Sequence, residues 1–217
     1  IHLLMGPNGS GKSTLLHALV GHPRTSIAKG SVALDGESLK NLPPHIRAQK
    51  GLFLGFQQPV DVAGVTLAAF LRSAKNALSS SRGEALVSPT VFATSLKETL
   101  RELGMDERFG GRQVNAGLSG GEKKRSELLQ MVVLNPRYAV LDEFDSGLDV
   151  DALRHVARTL EVQAKNGTGF LLVSHNPTLA DLLPIDAVHV MRSGSLLKSG
   201  GKELLEQITK KGYGDTQ

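Results

Sequence analysis

The chain has 217 residues, with 25 Lys and Arg against 21 Asp and Glu (net charge +4), 24 glycines and no cysteine. That length suits one large or two closely joined domains, and 40% hydrophobic with 21% charged residues excludes disorder, collagen and coiled coil as the main state. The lack of cysteine excludes a disulfide scaffold, a thiolate nucleophile, a zinc–thiolate site and a thiolate-held iron–sulfur cluster within the chain, while a +4 excess selects no ligand.

Strand-like and helix-like segments alternate, which predicts an α/β fold built on a mostly parallel sheet. Ile1–Met5 reads as a buried strand, entered without the basic flank or cleavage site of a signal peptide. Because the chain begins with Ile inside that strand, further N-terminal strands are expected to be missing. A glycine-rich loop follows, then a helix from Ser13 to Val20 that Gly21 and Pro23 terminate. Ser31–Leu34 with the turn Asp35-Gly36 reads as a hairpin strand, and Gly51–Phe56 as a second apolar run. From Pro59 to Gly117 the character changes. Thr66–Leu78 and Val91–Leu103 are amphipathic helical patterns, separated by the loop-like cluster Ser79-Ser80-Ser81-Arg82-Gly83. Tyr138–Leu141 and Phe170–Val173 read as buried parallel strands, and Ala187–Met191 with Ser195–Lys198 as a late hairpin around Ser193-Gly194. The expected division is a nucleotide-binding core of residues 1–58 and 126–217 and a helical subdomain of residues 59–125. No apolar stretch approaches the roughly 20 residues of a membrane helix.

Gly6-Pro7-Asn8-Gly9-Ser10-Gly11-Lys12-Ser13-Thr14 matches G-x-x-x-x-G-K-[ST], directly after a strand and before a helix. Glycines let successive N–H groups converge on one anion at the positive end of the helix. Lys12 is expected on the β- and γ-phosphates and the Ser13 hydroxyl on Mg²⁺. The nucleotide contacts predicted here are Gly6, Asn8, Gly9, Ser10, Gly11, Lys12, Ser13 and Thr14, with ATP and Mg²⁺ as cofactors. Tyr138–Leu141 ends in Asp142-Glu143. Asp142 is expected to hold the metal, and Glu143 to polarise the water that attacks the γ-phosphate. Gln57, at the end of Gly51–Phe56, can meet the metal or that water, and Gln58 beside it is an alternative.

Leu118-Ser119-Gly120-Gly121-Glu122 opens a helix running from Lys123 to Leu134. Ser119 with Glu122 is a capping box, and the two glycines offer a second anion-binding helix N-terminus, which suggests a nucleotide shared between two subunits. His175 follows Phe170–Val173 and Ser174, at a strand end where open α/β sheets place ligands. His2, His17, His22, His45, His155 and His189 lack a motif and read as solvated or packed.

Phosphate loop, glutamine, LSGGE, Asp142-Glu143, Ser146-Gly147-Leu148-Asp149 and histidine, in this order, resemble the ABC-type ATPase domain across essentially the whole chain. The resemblance implies a P-loop NTPase core with an inserted helical subdomain and a small antiparallel β region. It also implies two copies that sandwich two ATP molecules head to tail. Ser119, Gly120 and Gly121 would then face the nucleotide held by the other copy, Asp149 would lie at the seam, and His175 would contact the γ-phosphate in its own copy. Catalysis is thereby expected to rest on Glu143, His175 and Gln57, and the metal on Ser13, Gln57 and Asp142. The adenine-stacking aromatic that the family carries before its phosphate loop has no counterpart here.

A finer resemblance is to the ATPases of the Suf iron–sulfur cluster assembly machinery. Phe56-Gln57-Gln58-Pro59-Val60, Gly64-Val65, Leu141 to Leu153 and Gly212-Tyr213-Gly214 carry it, whereas transporter ATPases more usually have P-T-S/A-x-L-D after the glutamate. Phe144 departs from the serine expected at its position. This resemblance implies a cytoplasmic ATPase with SufB/SufD-like scaffold partners, without nucleic acid or direct membrane insertion, whose ATP-driven dimerisation remodels the scaffold. The ATP-binding subunit of a membrane transporter and a non-catalytic nucleotide-sensing adaptor are the alternatives.

Overall fold

A computed structural model describes residues 1–213 of the chain. The elements run in the order β1 (His2–Met5), α1 (Lys12–Val20), β2 (Ala33–Leu34), β3 (Glu37–Ser38), α2 (Pro44–Gln49), β4 (Leu52–Gly55), β5 (Val62–Thr66), α3 (Leu67–Ser81) and α4 (Pro89–Glu102). A 3-10 turn (Glu107–Gly111) leads on to β6 (Gln113–Val114), α5 (Gly120–Leu134), β7 (Tyr138–Asp142), α6 (Val150–Lys165) and β8 (Gly169–Val173). The chain then continues through α7 (Pro177–Leu182), β9 (Ala187–Arg192), β10 (Ser195–Gly200) and α8 (Lys202–Lys211). Two compact units result: Ile1–Gln57 with the chain from Arg137 onward, and Gln58–Pro136.

The first unit is built on one six-stranded sheet of order β10-β9-β1-β8-β7-β4. All neighbours are parallel except β9 and β10, which pair antiparallel. Leu3, Leu4 and Met5 are all buried, as are Ala139–Asp142. Such runs suit interior strands of a parallel sheet, which are covered on both faces and lose the in–out alternation of a half-exposed strand. Leu16 of α1 is fully buried and joins Leu4, Val140, Val173 and Met191 in one apolar cluster. The sheet thereby holds α1 against four strands, β1, β7, β8 and β9.

The ladder aligns the strand ends. Leu4 pairs with Val173, Asp142 with Val173, and Gly55 with Leu141. The loops after β1, β4, β7 and β8 therefore leave one edge of the sheet together, where open α/β sheets bind ligands. Two of those loops are also tied below the surface. Ser174 Oγ, after β8, donates to Asp145 Oδ2, after β7, at 2.7 Å, and accepts the Asn176 N–H at 2.9 Å.

The second unit packs α3, α4 and α5 against one another, with the short antiparallel pair β5–β6 at its margin. Leu67, Leu71, Phe92, Leu96, Leu100, Leu128 and Leu129 are buried in it. Thr66 and Ser88 cap α3 and α4 through their hydroxyls, satisfying N–H groups that a helix start leaves open. One expectation fails here. Ser79-Ser80-Ser81 is not a loop but the last turn of α3. Ser79 Oγ donates to Glu84 Oε2 at 3.2 Å and Ser81 Oγ to Leu78 O at 2.7 Å, so local hydrogen bonds absorb hydroxyls that would otherwise compete with the helix. Chain reversal waits for Arg82-Gly83, where Gly83 has φ 70°. Among the described residues no helix is long and apolar enough to cross a membrane.

Leu16→Ala should destabilise the protein by about 3 kcal/mol in urea unfolding, because the sheet and the loop above it cannot collapse onto the vacated volume. A second expectation concerns Asp145, which is 6% exposed. Burial pushes its carboxyl above the ordinary aspartate value of 3.8, and the Ser174 hydroxyl only partly offsets that. Folding thus disfavours the ionised form, and this penalty grows as pH rises through the raised value. Asp145→Asn retains an acceptor for Ser174 without the charge. Its thermal midpoint at pH 7 should exceed that of the unsubstituted chain by about 2–4 °C, with the gap closing as pH falls towards 3.8. A lower midpoint at pH 7 would refute this account of the carboxylate.

Candidate functional site

The phosphate-loop sequence takes the conformation its glycines permit. Gly6 has φ 152°, and a Cβ there would sit 2.0 Å from the Met191 carbonyl oxygen, a backbone atom that cannot move aside. The loop is braced from the β9–β10 turn, where the Gly194 N–H donates to Ser10 O at 2.9 Å. It passes into α1 through Gly11, at φ 100°, and no side chain caps that helix. Its first-turn N–H groups keep their hydrogen-bonding capacity for an anion.

Lys12, only 5% exposed, donates from Nζ to Gly6 O at 2.8 Å and Pro7 O at 3.1 Å. Burial lowers its pKa, while the nearby carboxylates of Glu143 and Asp142 pull it back up. Asn8, Gly9, Gly11, Lys12, Ser13, Thr14, Gln57 and Glu143 line a cleft of about 340 Å³ over the loop. Ser10 is buried beneath, and its Oγ has no hydrogen-bond partner.

Glu143 lies at the end of β7 in the left-handed region, at φ 43°, where a non-glycine residue is strained. Its N–H donates to Val173 O at 2.9 Å, which fixes the turn against β8. Its carboxylate has one hydrogen-bond donor and one more distant ring beside it. Gln57 Nε2 donates to Oε2 at 2.6 Å, and His175 Nε2 stands 3.8 Å from Oε1. Of the two adjacent glutamines, Gln57 is thus the one whose side chain reaches Glu143. His175 has its pKa lowered, first by burial and then by the positive charge of Lys12, against the upward pull of Glu143, Asp145 and Asp142. Asp142 is 3% exposed, and its Oδ1 is buried without a hydrogen-bond partner. Among the described residues no cluster of three or more His, Cys, Asp or Glu forms a self-sufficient metal site, so a cation here would need oxygens from a hydroxyl, a ligand or water.

Asp149 is the N-cap of α6, and its Oδ1 accepts the Ala152 N–H at 2.8 Å. Ser119, Gly120 and Gly121 belong to the second unit, at the start of α5. The capping box expected there forms in both directions. Ser119 Oγ accepts the Glu122 N–H at 3.3 Å, and Glu122 Oε2 accepts the Ser119 N–H at 2.8 Å. Asp145 and Ser174 were not singled out from sequence. Only Ser174's position before His175 could have suggested them, since their contact joins residues 29 apart. A larger hollow of about 450 Å³ in the same unit is lined mostly by apolar side chains such as Leu34, Leu39, Leu52, Val140 and Phe170, and gathers no comparable set of reactive groups.

Comparison with known proteins agrees with this geometry. The family model described as "ABC transporter" matches residues 1–146. A protein of Cyanophora paradoxa named "Probable ATP-dependent transporter ycf16" is 45% identical over 98% of this chain and 82% of its own length. One of Plasmodium falciparum named "Iron-sulfur cluster assembly protein SufC" is 41% identical over 98% of this chain and 61% of its own. A dimeric ATP-binding cassette solved in a post-hydrolysis state with ADP and Pi superposes with a TM-score of 0.77, covering 93% of this chain and 84% of the other. At 20% identity that likeness speaks for the fold. Phosphate loop, strand-end carboxylates and sheet order thus agree with relatedness along the sequence: the chain belongs to the ABC transporter family, as an ATP-binding cassette.

Proposed function

We propose that the chain is an Mg²⁺-dependent ATPase of iron–sulfur cluster assembly, in which ATP-driven dimerisation remodels a soluble scaffold. The observation that carries the hydrolytic part is the hydrogen bond from Gln57 to Glu143, with His175 3.8 Å from the same carboxylate, beside the phosphate loop and Lys12. We read the first unit as the nucleotide-binding core and the second as the helical subdomain bearing the signature loop Ser119-Gly120-Gly121.

A divalent cation fits the donors present. The buried Asp142 Oδ1 lacks a partner, and the Ser13 hydroxyl lines the same cleft as Gln57. Ser13, Asp142 and Gln57 would hold it, Asp142 through water, and when bound it neutralises charge on the β- and γ-phosphates. The protein's own groups do the rest. The N–H groups of Gly9, Gly11, Lys12, Ser13 and Thr14 cradle the phosphates together with Asn8 and the Lys12 ammonium. Glu143 accepts a proton from the water whose oxygen attacks the γ-phosphorus. The bond to the β,γ-bridging oxygen breaks and its electrons leave with ADP. Gln57 orients the carboxylate, and His175 donates a hydrogen bond from Nε2 to the γ-phosphate. Positioning and charge neutralisation supply most of the rate. Ser119, Gly120 and Gly121 of a second copy, with Asp149 at the seam, would complete each site. A dimeric cassette of the same fold supports that arrangement.

The assembly role rests on the Suf-type segment from Leu141 to Leu153 and on 41% identity to a relative named for that process. The name of the Cyanophora relative favours the second reading, the energy subunit of a membrane transporter.

Lys12→Ala should weaken ATP binding about ten- to a hundred-fold, the loss of one charge-assisted contact, in equilibrium titration. Glu143→Gln should keep affinity within about two-fold while turnover falls at least about a hundred-fold, as expected when a general base is removed. Unchanged hydrolysis by purified Glu143→Gln protein would remove Glu143 from that role. Affinity capture of Glu143→Gln protein with ATP from native extract should recover soluble SufB/SufD-like proteins. Recovery of a membrane-spanning subunit in their place would favour the transporter.

A further inference from the structure

Tyr213 takes no part in the chemistry above, yet it closes the sequence segment Gly212-Tyr213-Gly214, of which Gly214 lies outside the described residues. Helix α8 ends at Gly212, whose N–H donates to Ile208 O at 2.8 Å and whose φ of 71° reverses the chain. A residue with a side chain would be strained in that conformation. The reversal sets the Tyr213 hydroxyl 3.3 Å from His175 Nδ1, across 38 residues of sequence. The Gly6 N–H, first in the phosphate loop, hydrogen-bonds to the same phenolic oxygen. Burial raises the phenol's pKa, so the group is a neutral hydroxyl.

These contacts have a direction. A backbone N–H can only donate, so the Tyr213 oxygen accepts from Gly6 and its one proton remains to be donated. His175 Nδ1 lies within its reach at 3.3 Å. A neutral imidazole that accepts at Nδ1 carries its proton on Nε2. The other end of the ring favours the same form, because Nε2 stands 3.8 Å from Glu143 Oε1 and a lone pair there would face a carboxylate. The chain of bonds therefore runs from Gly6 N–H through Tyr213 Oη–H to His175 Nδ1.

We propose that Tyr213 is a positioning residue that holds His175 in its Nε2–H tautomer and ties it to the first residue of the phosphate loop. The proposal rests on the ATPase reading in one respect, that the Nε2–H group is the donor offered to the γ-phosphate. In the Nδ1–H form that donor would be lost while the ring stayed in place. Tyr213 acts only through His175.

The test uses the full chain. Long-range ¹H–¹⁵N correlation spectra of ¹⁵N-histidine-labelled protein, with the His175 signals assigned by their loss in His175→Ala, should report the Nε2–H tautomer in the unsubstituted chain. Tyr213→Phe, which removes only an oxygen, should abolish that fixed tautomer. The same substitution should lower kcat for ATP about five-fold, the worth of one hydrogen bond, at unchanged KM. In a His175→Ala background the further effect should vanish, the signature of a residue that acts through its partner. An Nδ1–H signal in the unsubstituted chain overturns the proposal without recourse to any variant at position 213. So does a tautomer unaltered by Tyr213→Phe, or a full five-fold loss that persists beside His175→Ala. Absence of ATP turnover in the unsubstituted chain would instead count against the ATPase reading, and the spectra would still decide the tautomer.

Discussion

Strand β1 pairs in parallel with β8 on one side and β9 on the other, and β8 in turn with β7. Parallel neighbours advance in the same direction, so their ends and the loops that follow them come out together. The Leu4–Val173 and Asp142–Val173 partners set the level at which the phosphate loop, Glu143 and His175 all leave the sheet. The runs Leu3–Met5 and Ala139–Leu141 are apolar on both faces and select no register by themselves, so the packing of Leu16 against Leu4, Val140 and Val173 holds the one that the reactive groups require. Packing and site geometry are here the same constraint.

Above that platform the electrostatics are finely opposed. One nearly buried ammonium, Lys12, stands near the carboxylates of Asp142 and Glu143, and burial works against its charge while they favour it. The imidazole of His175 is pushed towards neutrality by burial and by Lys12. A neutral histidine, a cationic lysine and two carboxylates can then coexist at one edge of the sheet, where Lys12 and Glu143 line a cleft of about 340 Å³. None of these groups forms a close ion pair that would lock it, since the shortest His175–Glu143 approach is 3.8 Å. Charge that is not locked in close pairs remains available to a ligand.

What the sequence made legible was whatever depends on near neighbours. The glycines of the phosphate loop, the run of apolar residues ending in Asp142-Glu143, and the Ser119–Glu122 box each encode their conformation within a few residues. Alternation of apolar runs with amphipathic stretches was enough for the α/β class and the parallel sheet. The loop placed at Ser79–Ser81 failed because serine's turn preference is a competition, and hydrogen bonds to Glu84 and Leu78 decided it for the helix. The two-residue strand β6 pairs with β5, whose residues are all exposed, so neither carried a readable periodicity. The Asp145–Ser174 and Tyr213–His175 contacts join residues 29 and 38 apart, and no local pattern announces such meetings. They follow from the fold as a whole.

The backbone at Glu143 carries a different lesson. A left-handed φ of 43° suits glycine or asparagine, and a chain selected for heat resistance alone would replace glutamate there. Keeping a long acidic side chain on that bend means that stability has been conceded at one residue for the sake of where its carboxylate points. If Glu143 has the role proposed for it, relatives or laboratory lineages that drift to Gly or Asn at this position would become sturdier while losing their chemistry. On that proposed role, position 143 is a place where thermal tolerance and turnover are opposed within a single dihedral angle.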